Sequence, residues 1–155
     1  MEQPPRFVAD VMLGRLARWL RALGYDTLYD STWDDAPLAE LARMERRILL
    51  TRDVELTRRR GVQYVLIQDD RVFRQLTQLV HELNLNAAEA FTRCIECNAE
   101  LEVVETKDVA EKLPPYVLAT QTRFKQCPQC EKIYWRGTHW NHMQAILSEM
   151  ERHDE

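Results

Sequence analysis

Three short apolar runs mark the first part of the chain, Phe7-Val8-Ala9, Ile48-Leu49-Leu50-Thr51 and Tyr64 to Ile67, and Tyr25 to Tyr29 looks like a further short strand with Asp30 at its end. None of the three runs alternates polar with apolar residues, which is the pattern of strands buried on both faces of a parallel sheet. Between them lie segments with helical spacing. Leu13, Leu16, Ala17, Leu20 and Leu23 form one face of a helix from Val11 to Leu23, with Arg15, Arg18 and Arg21 on the other side and Gly24 as its stop. Asp34-Asp35-Ala36-Pro37 opens a second helix, with one of the two acids as its cap. Val54 to Arg60 reads as a short third helix ending at Gly61. Val72 to Leu85 is a fourth, with Val72, Leu76, Leu79, Val80 and Leu83 facing the core. Strand and helix therefore alternate, which predicts parallel βαβ units with right-handed crossovers. The expected fold is α/β: a doubly wound, mainly parallel four-stranded sheet over residues 1–90.

The composition then changes. Residues 91–155 hold every cysteine, every lysine and most of the histidines. Asn86 to Arg93 reads as a linker. Strand-like patterns occur at Leu101 to Thr106 and Phe124 to Tyr134. Val109 to Thr120, with Pro114-Pro115, reads as a loop, and Trp140 to Glu151 as a terminal helix. The cysteines fall in two CxxC pairs, Cys94/Cys97 and Cys127/Cys130, separated by 29 residues. Two such knuckles complete a tetrahedron of thiolates around structural zinc and leave no open position for catalysis. A redox dithiol pair is the rival. His139 and His142 are not needed as ligands. Tyr134, Trp135, Arg136, His139 and Trp140 form an aromatic and basic set, suited to stacking on bases or to packing against the first domain.

Charge and length narrow the class. Hydrophobic content of 45% and charged content of 30% suit a globular protein. No apolar run approaches the roughly 20 residues needed to span a bilayer. The stretch MEQPPRF lacks the charged-then-apolar pattern of a signal peptide, so a cytoplasmic protein with no membrane partner is expected. A formal charge of −4 argues only weakly against a nucleic-acid substrate, because bound cations would offset a local acidic site.

The strand ends carry the candidate chemistry. Asp10, Asp53 and the pair Asp69-Asp70 each follow an apolar run, and Asp30 or Asp35 would join them if the carboxyl ends converge. Asp10 also has a plain reading as a helix cap. Clustered carboxylates repel, and hard divalent cations such as Mg²⁺ or Mn²⁺ resolve that repulsion. Two such ions can activate water and clamp a scissile phosphate. There is no Walker loop, GxSxG elbow or HExxH. Phosphodiester hydrolysis, of RNA, is the natural fit. Arg15 and Arg52 are candidate phosphate contacts, whereas Arg58-Arg59-Arg60 reads first as a solvated helix end and His81 as a surface or packing residue rather than a catalytic one.

FVAD, GRLARWLRALGYD, ILLTRD, IQDD and the distal YWRGTHW together resemble the PIN-like ribonuclease family typified by the Mut-seven C-terminal RNase domain with its appended zinc ribbon. The resemblance spans nearly the whole chain. It implies a nuclease domain over 1–90 and a zinc ribbon with a terminal helix over 91–155. It implies metal-dependent cleavage of RNA, single-stranded or tRNA/rRNA. The implied acids are Asp10, Asp35, Asp53 and Asp69 or Asp70, with Asp10, Asp53 and Asp70 as ligands of Mg²⁺ or Mn²⁺ and Cys94, Cys97, Cys127 and Cys130 holding Zn²⁺. Two alternatives stay open: a non-catalytic RNA-binding or ribosome-associated module built on the ribbon, and a toxin-like component held by a protein partner.

Overall fold

The computed structural model describes residues 3–152, which fall into two compact units, Met1–Asn98 and Ala99–Glu155. In the first unit, β1 (Phe7–Ala9), β2 (Thr27–Leu28), β3 (Ile48–Thr51) and β4 (Tyr64–Leu66) form one sheet in the order β2-β1-β3-β4. Every pairing is parallel: Phe7 lies opposite Thr27 and Ile48, and Thr51 opposite Leu66. Helices α1 (Gly14–Ala22), α2 (Asp35–Met44), α3 (Val54–Thr57) and α4 (Val72–Leu83) connect and follow the strands.

Alternation along the strands assigns the two faces. Val8 and Leu49 pack with Leu38, Ala39 and Ala42 of α2 and Leu56 of α3. Phe7, Ala9 and Leu50 point the other way and are equally buried. The paired helices α1 and α4 cover that side, with Trp19 and Phe73 edge to face at 5.1 Å. Leu13, Leu16, Ala17, Leu20 and Leu23 are all buried. Burying a Leu of this kind contributes about 2 kcal/mol, so this stripe holds α1 in place.

Local details depart from the expected elements. Val11–Leu13 forms a 3-10 turn before α1 begins at Gly14. α3 stops at Thr57, short of Arg60, and the chain then turns through Gly61 at φ +73°. Arg21, expected on the polar side of α1, is instead buried. Gly24 has φ +94°, and a Cβ there would lie 2.1 Å from the Glu89 carbonyl oxygen. The chain after α4 passes so close that only glycine fits.

In the second unit, β5 (Glu102–Val104), β6 (Phe124–Gln126) and β7 (Ile133–Tyr134) form an antiparallel sheet in that order. The stretch read as a loop around Pro114-Pro115 holds helical turns, α5 (Thr106–Val109) and α6 (Pro115–Thr120), with a 3-10 turn between them. Pro115 starts α6 because a proline at the first helical position needs no amide partner and already has a helical φ. Val109, Leu113, Val117 and Phe124 form this unit's core. Trp135 joins that core edge-on to Phe124 at 6.4 Å, and the Lys132 ammonium sits 5.5 Å from the Tyr134 ring centroid. The last helix is α7 (Thr138–Arg152). The side chains of His139 and Trp140 lie outside the described ones.

Candidate active site and cysteine cluster

The crossover from β2 to β3 passes β1, so the order in which strands are added reverses between β1 and β3. In open parallel sheets ligands bind outside the carboxyl ends of the strands at this switch point. Asp10 follows β1 there, Thr51 ends β3, and Asp53 lies just beyond.

One hydroxyl links these residues. Asp10 is 6% exposed; its Oδ1 accepts the Val11 N–H at 2.7 Å and its Oδ2 accepts the Thr51 hydroxyl at 2.9 Å. Thr51 Oγ1 in turn accepts the Asp53 N–H at 3.0 Å. Asp53 is exposed, and its Oδ1 accepts the Glu55 N–H at 2.9 Å, capping α3. Both acids therefore cap the elements that follow them, as Asp was expected to, while standing at the switch point. Thr51 is fully buried, so its hydroxyl fixes the Asp10 carboxylate and the Asp53 backbone against each other.

The other candidates are positioned differently. Asp69 Oδ1 accepts the Arg71 N–H at 2.8 Å, and its Oδ2 lies 3.5 Å from Arg74 Nη1. The Arg71 N–H above all holds the Asp69 carboxyl below its ordinary pKa, against the opposing effect of burial and with Arg74 assisting. Two glutamines of α4 fix this strand end: Gln75 Nε2 donates to Asp69 O at 2.9 Å, and Gln78 bonds both Gln68 N and Leu66 O. Asp70 is exposed. Asp35 is the exposed first residue of α2, and Asp34, at the cap position, makes no capping hydrogen bond through its side chain. Asp30 closes a local turn onto Thr32 at 2.8 and 2.6 Å; the Thr32 hydroxyl, then its N–H, lowers the Asp30 pKa. Among the described residues, no three carboxylates bring oxygens within 4.8 Å of one another.

Of the candidate cations, Arg15 is exposed on α1. Arg52 sits between Thr51 and Asp53, and its Nε is buried with no hydrogen-bond partner. An unpaired buried donor of this kind costs about 1–3 kcal/mol. Thr51, Gln75 and Gln78 were not singled out from the sequence. A Thr closing an apolar run one residue before Arg-Asp was the available signal for the first.

The cysteines do come together. The four sulfur atoms lie within 4.8 Å of one another. The two knuckles share one geometry. The N–H of Asn98 returns to Cys94 O at 2.9 Å, and that of Glu131 to Cys127 O at 3.0 Å. Asn98 and Glu131 both adopt positive φ, 68° and 64°. Cys97 N–H and Cys130 N–H point at the sulfurs of Cys94 and Cys127, at 3.4 and 3.5 Å. Four soft donors in this arrangement suit Zn²⁺.

Among the described residues no helix is long and apolar enough to cross a membrane. The sequence model of the family described as Mut7-C RNAse domain matches residues 5–147, nearly the whole chain, and the chain belongs to that family. No curated protein and no solved structure matches it. Membership points to a ribonuclease-type function with RNA as substrate.

Proposed function

We propose that this member of the Mut7-C RNAse domain family is a divalent-metal-dependent ribonuclease acting in the cytoplasm, with its centre between the carboxyl ends of β1 and β3. The observation that carries the reading is the Asp10–Thr51–Asp53 linkage at the switch point. Asp10 and Asp53 offer hard oxygen donors, the chemistry that Mg²⁺ or Mn²⁺ takes, with Asp70 or Asp69 and Asp35 as further acids. A bound cation would polarise the scissile phosphate and make water nucleophilic at neutral pH.

The chain's own residues have separate tasks in this reading. Thr51 donates to Asp10 Oδ2 and so holds the buried carboxylate in one rotamer. Asp53, the exposed acid, would stand beside Asp10 as an oxygen ligand of the cation. Arg52 and Arg15 receive the phosphate; Arg52 arrives with a donor that nothing else satisfies. The four cysteines hold zinc structurally, away from the chemistry. Single-stranded RNA or exposed loops of tRNA and rRNA are the substrates proposed.

The capping bonds of Asp10 and Asp53 favour a second reading, in which the acids serve only the fold and the chain binds RNA without cutting it. Cleavage of a panel of single-stranded and structured RNAs, with Mn²⁺ or Mg²⁺, separates the two. Asn caps helices as well as Asp does, so Asp53→Asn keeps α3 while removing the charge. The ribonuclease reading predicts cleavage that falls by about 100-fold or more in this variant. Cleavage unchanged by the substitution sinks the site. RNA binding without cleavage by either protein selects the second reading.

A further inference from the structure

The zinc knuckle at Cys94–Cys97 is not held by its cysteines alone. Arg21, on α1, is 7% exposed, and a buried guanidinium is retained only where its donors are met. Its Nε donates to the Thr27 carbonyl on β2 at 2.8 Å. Its Nη1 donates to the carbonyls of Ile95 and Glu96, the two residues between the cysteines, at 3.1 and 3.2 Å. One side chain thus grips a helix, an edge strand and the interior of the knuckle. Asn98, directly after Cys97, closes the arrangement: its Oδ1 accepts the Thr27 N–H at 2.9 Å, and its Nδ2 donates to Asp26 Oδ1 at 2.7 Å. Arg18 adds an ion pair to Glu96 at 2.8 Å. Thr27 therefore gives both its N–H and its C=O to this group.

We infer that Arg21 is the positioning residue of the thiolate site, and that through Arg21 and Asn98 zinc occupancy orders the edge strand β2 of the parallel sheet. Four thiolates on a divalent ion carry net negative charge, and the buried Arg21 guanidinium is already committed to carbonyls of the Cys94–Cys97 knuckle. Burial works against the Arg21 charge, while the Cys94 and Cys97 thiolates and Glu96 work for it. Outer groups that orient metal ligands in this way commonly set affinity by about 10–100-fold. β2 is only two residues long and pairs with β1 alone, so each hydrogen bond to Thr27 weighs heavily in its order.

The test uses the whole 155-residue, zinc-loaded chain and needs no RNA. Amide hydrogen exchange is measured with and without a zinc chelator at Thr27 and at Leu49, whose N–H donates to Gln63 O at the sheet centre. Zinc removal is expected to speed exchange at Thr27 on the order of tenfold and to leave Leu49 unchanged. Equal acceleration at both residues, or none at Thr27, overturns the inference. Zinc affinity is then compared in the wild type, Arg21→Lys and Arg21→Gln by competition with a chromophoric chelator. The expected order is wild type, then Lys, then Gln, with Gln weaker by at least about tenfold. Affinities equal within a factor of about two overturn the positioning role, since losing a group that orients metal ligands commonly costs about 10-fold or more. The wild-type exchange experiment stands even where a variant does not fold.

Discussion

The two ends of the parallel sheet are built on opposite plans. At the amino ends of the strands, charge is buried and paired. Arg47 is 5% exposed and reaches Asp26 at 2.8 and 3.3 Å, Glu45 at 3.0 Å and the Phe7 carbonyl at 3.2 Å. Asn98 completes the Asp26 carboxylate at 2.7 Å. At the carboxyl ends the acids sit at the openings of turns and helices: Asp53 is exposed, Asp70 is exposed, and the buried Arg52 Nε has no partner. Polar groups fully satisfied by one another hold a fold. Polar groups left open at a switch point are available to a ligand. The same sheet therefore shows an end whose charges are closed on one another and an end whose polar groups are open to chemistry.

That contrast breaks most visibly in activity. Asp53→Asn should remove about 100-fold or more of RNA cleavage with little change in Tm, as in the assay above. Arg47→Met should do the reverse. It strands Asp26 at the closed end, at a cost of about 3 kcal/mol in unfolding free energy measured by urea titration, while cleavage per folded molecule stays at the wild-type level. If Arg47→Met lowers cleavage of the folded protein as much as Asp53→Asn does, the two ends are not separate.

Thr51→Val sharpens the comparison, because Thr51 serves the open end from inside the core. The change leaves Asp10 Oδ2 and the Asp53 N–H without their partner, and should cost about 1–3 kcal/mol of stability. Cleavage should fall with it, and Thr51→Ser, which keeps the hydroxyl, should recover most of both. Equal loss in Val and Ser would assign the effect to the methyl and its packing instead.

The smallest expected effect is a pH dependence of the closed end. Burial pushes the Asp26 carboxyl up, but hydrogen bonds from Arg47 and Asn98, with the charges of Arg47 and Arg93, outweigh it and hold the pKa below the ordinary 3.8. A carboxyl lowered on folding contributes stability above its unfolded pKa and loses it as pH falls through the folded one. The contribution should therefore be constant at neutral pH and fade only below about pH 4. Comparing unfolding free energies of wild type and Asp26→Asn from pH 7 to pH 3 checks this. The gap should narrow only at the acid end, and a gap constant through pH 3 would remove Asp26 from the closed end's balance.

Most of the architecture was legible from period alone. Ile48 to Thr51 and Phe7 to Ala9 are continuous apolar runs because both faces of the sheet are covered, and the Leu13–Leu23 stripe is buried as spacing required. The two CxxC pairs were legible because two residues between cysteines fix a turn. Arg21 was not, since helical spacing gives no sign that a guanidinium on the polar side of α1 meets carbonyls from residues 95 and 96, far along the chain. α6 was missed because Pro114-Pro115 punctuates loops and helix starts alike. The candidate site was half legible. An Asp after a strand names itself, but whether it caps, coordinates or does both depends on contacts such as Thr51 to Asp10, which join residues distant in sequence.

The most direct measurement is paramagnetic broadening by Mn²⁺ of backbone amide resonances in the zinc-loaded protein. A cation held between β1 and β3 should broaden Val11 and Asp53 first and most strongly, broaden Thr27 at the other end of the short strands less, and lose its effect in Asp53→Asn. Broadening that misses Val11 and Asp53, or that affects Thr27 equally, would contradict a cation centre at the switch point.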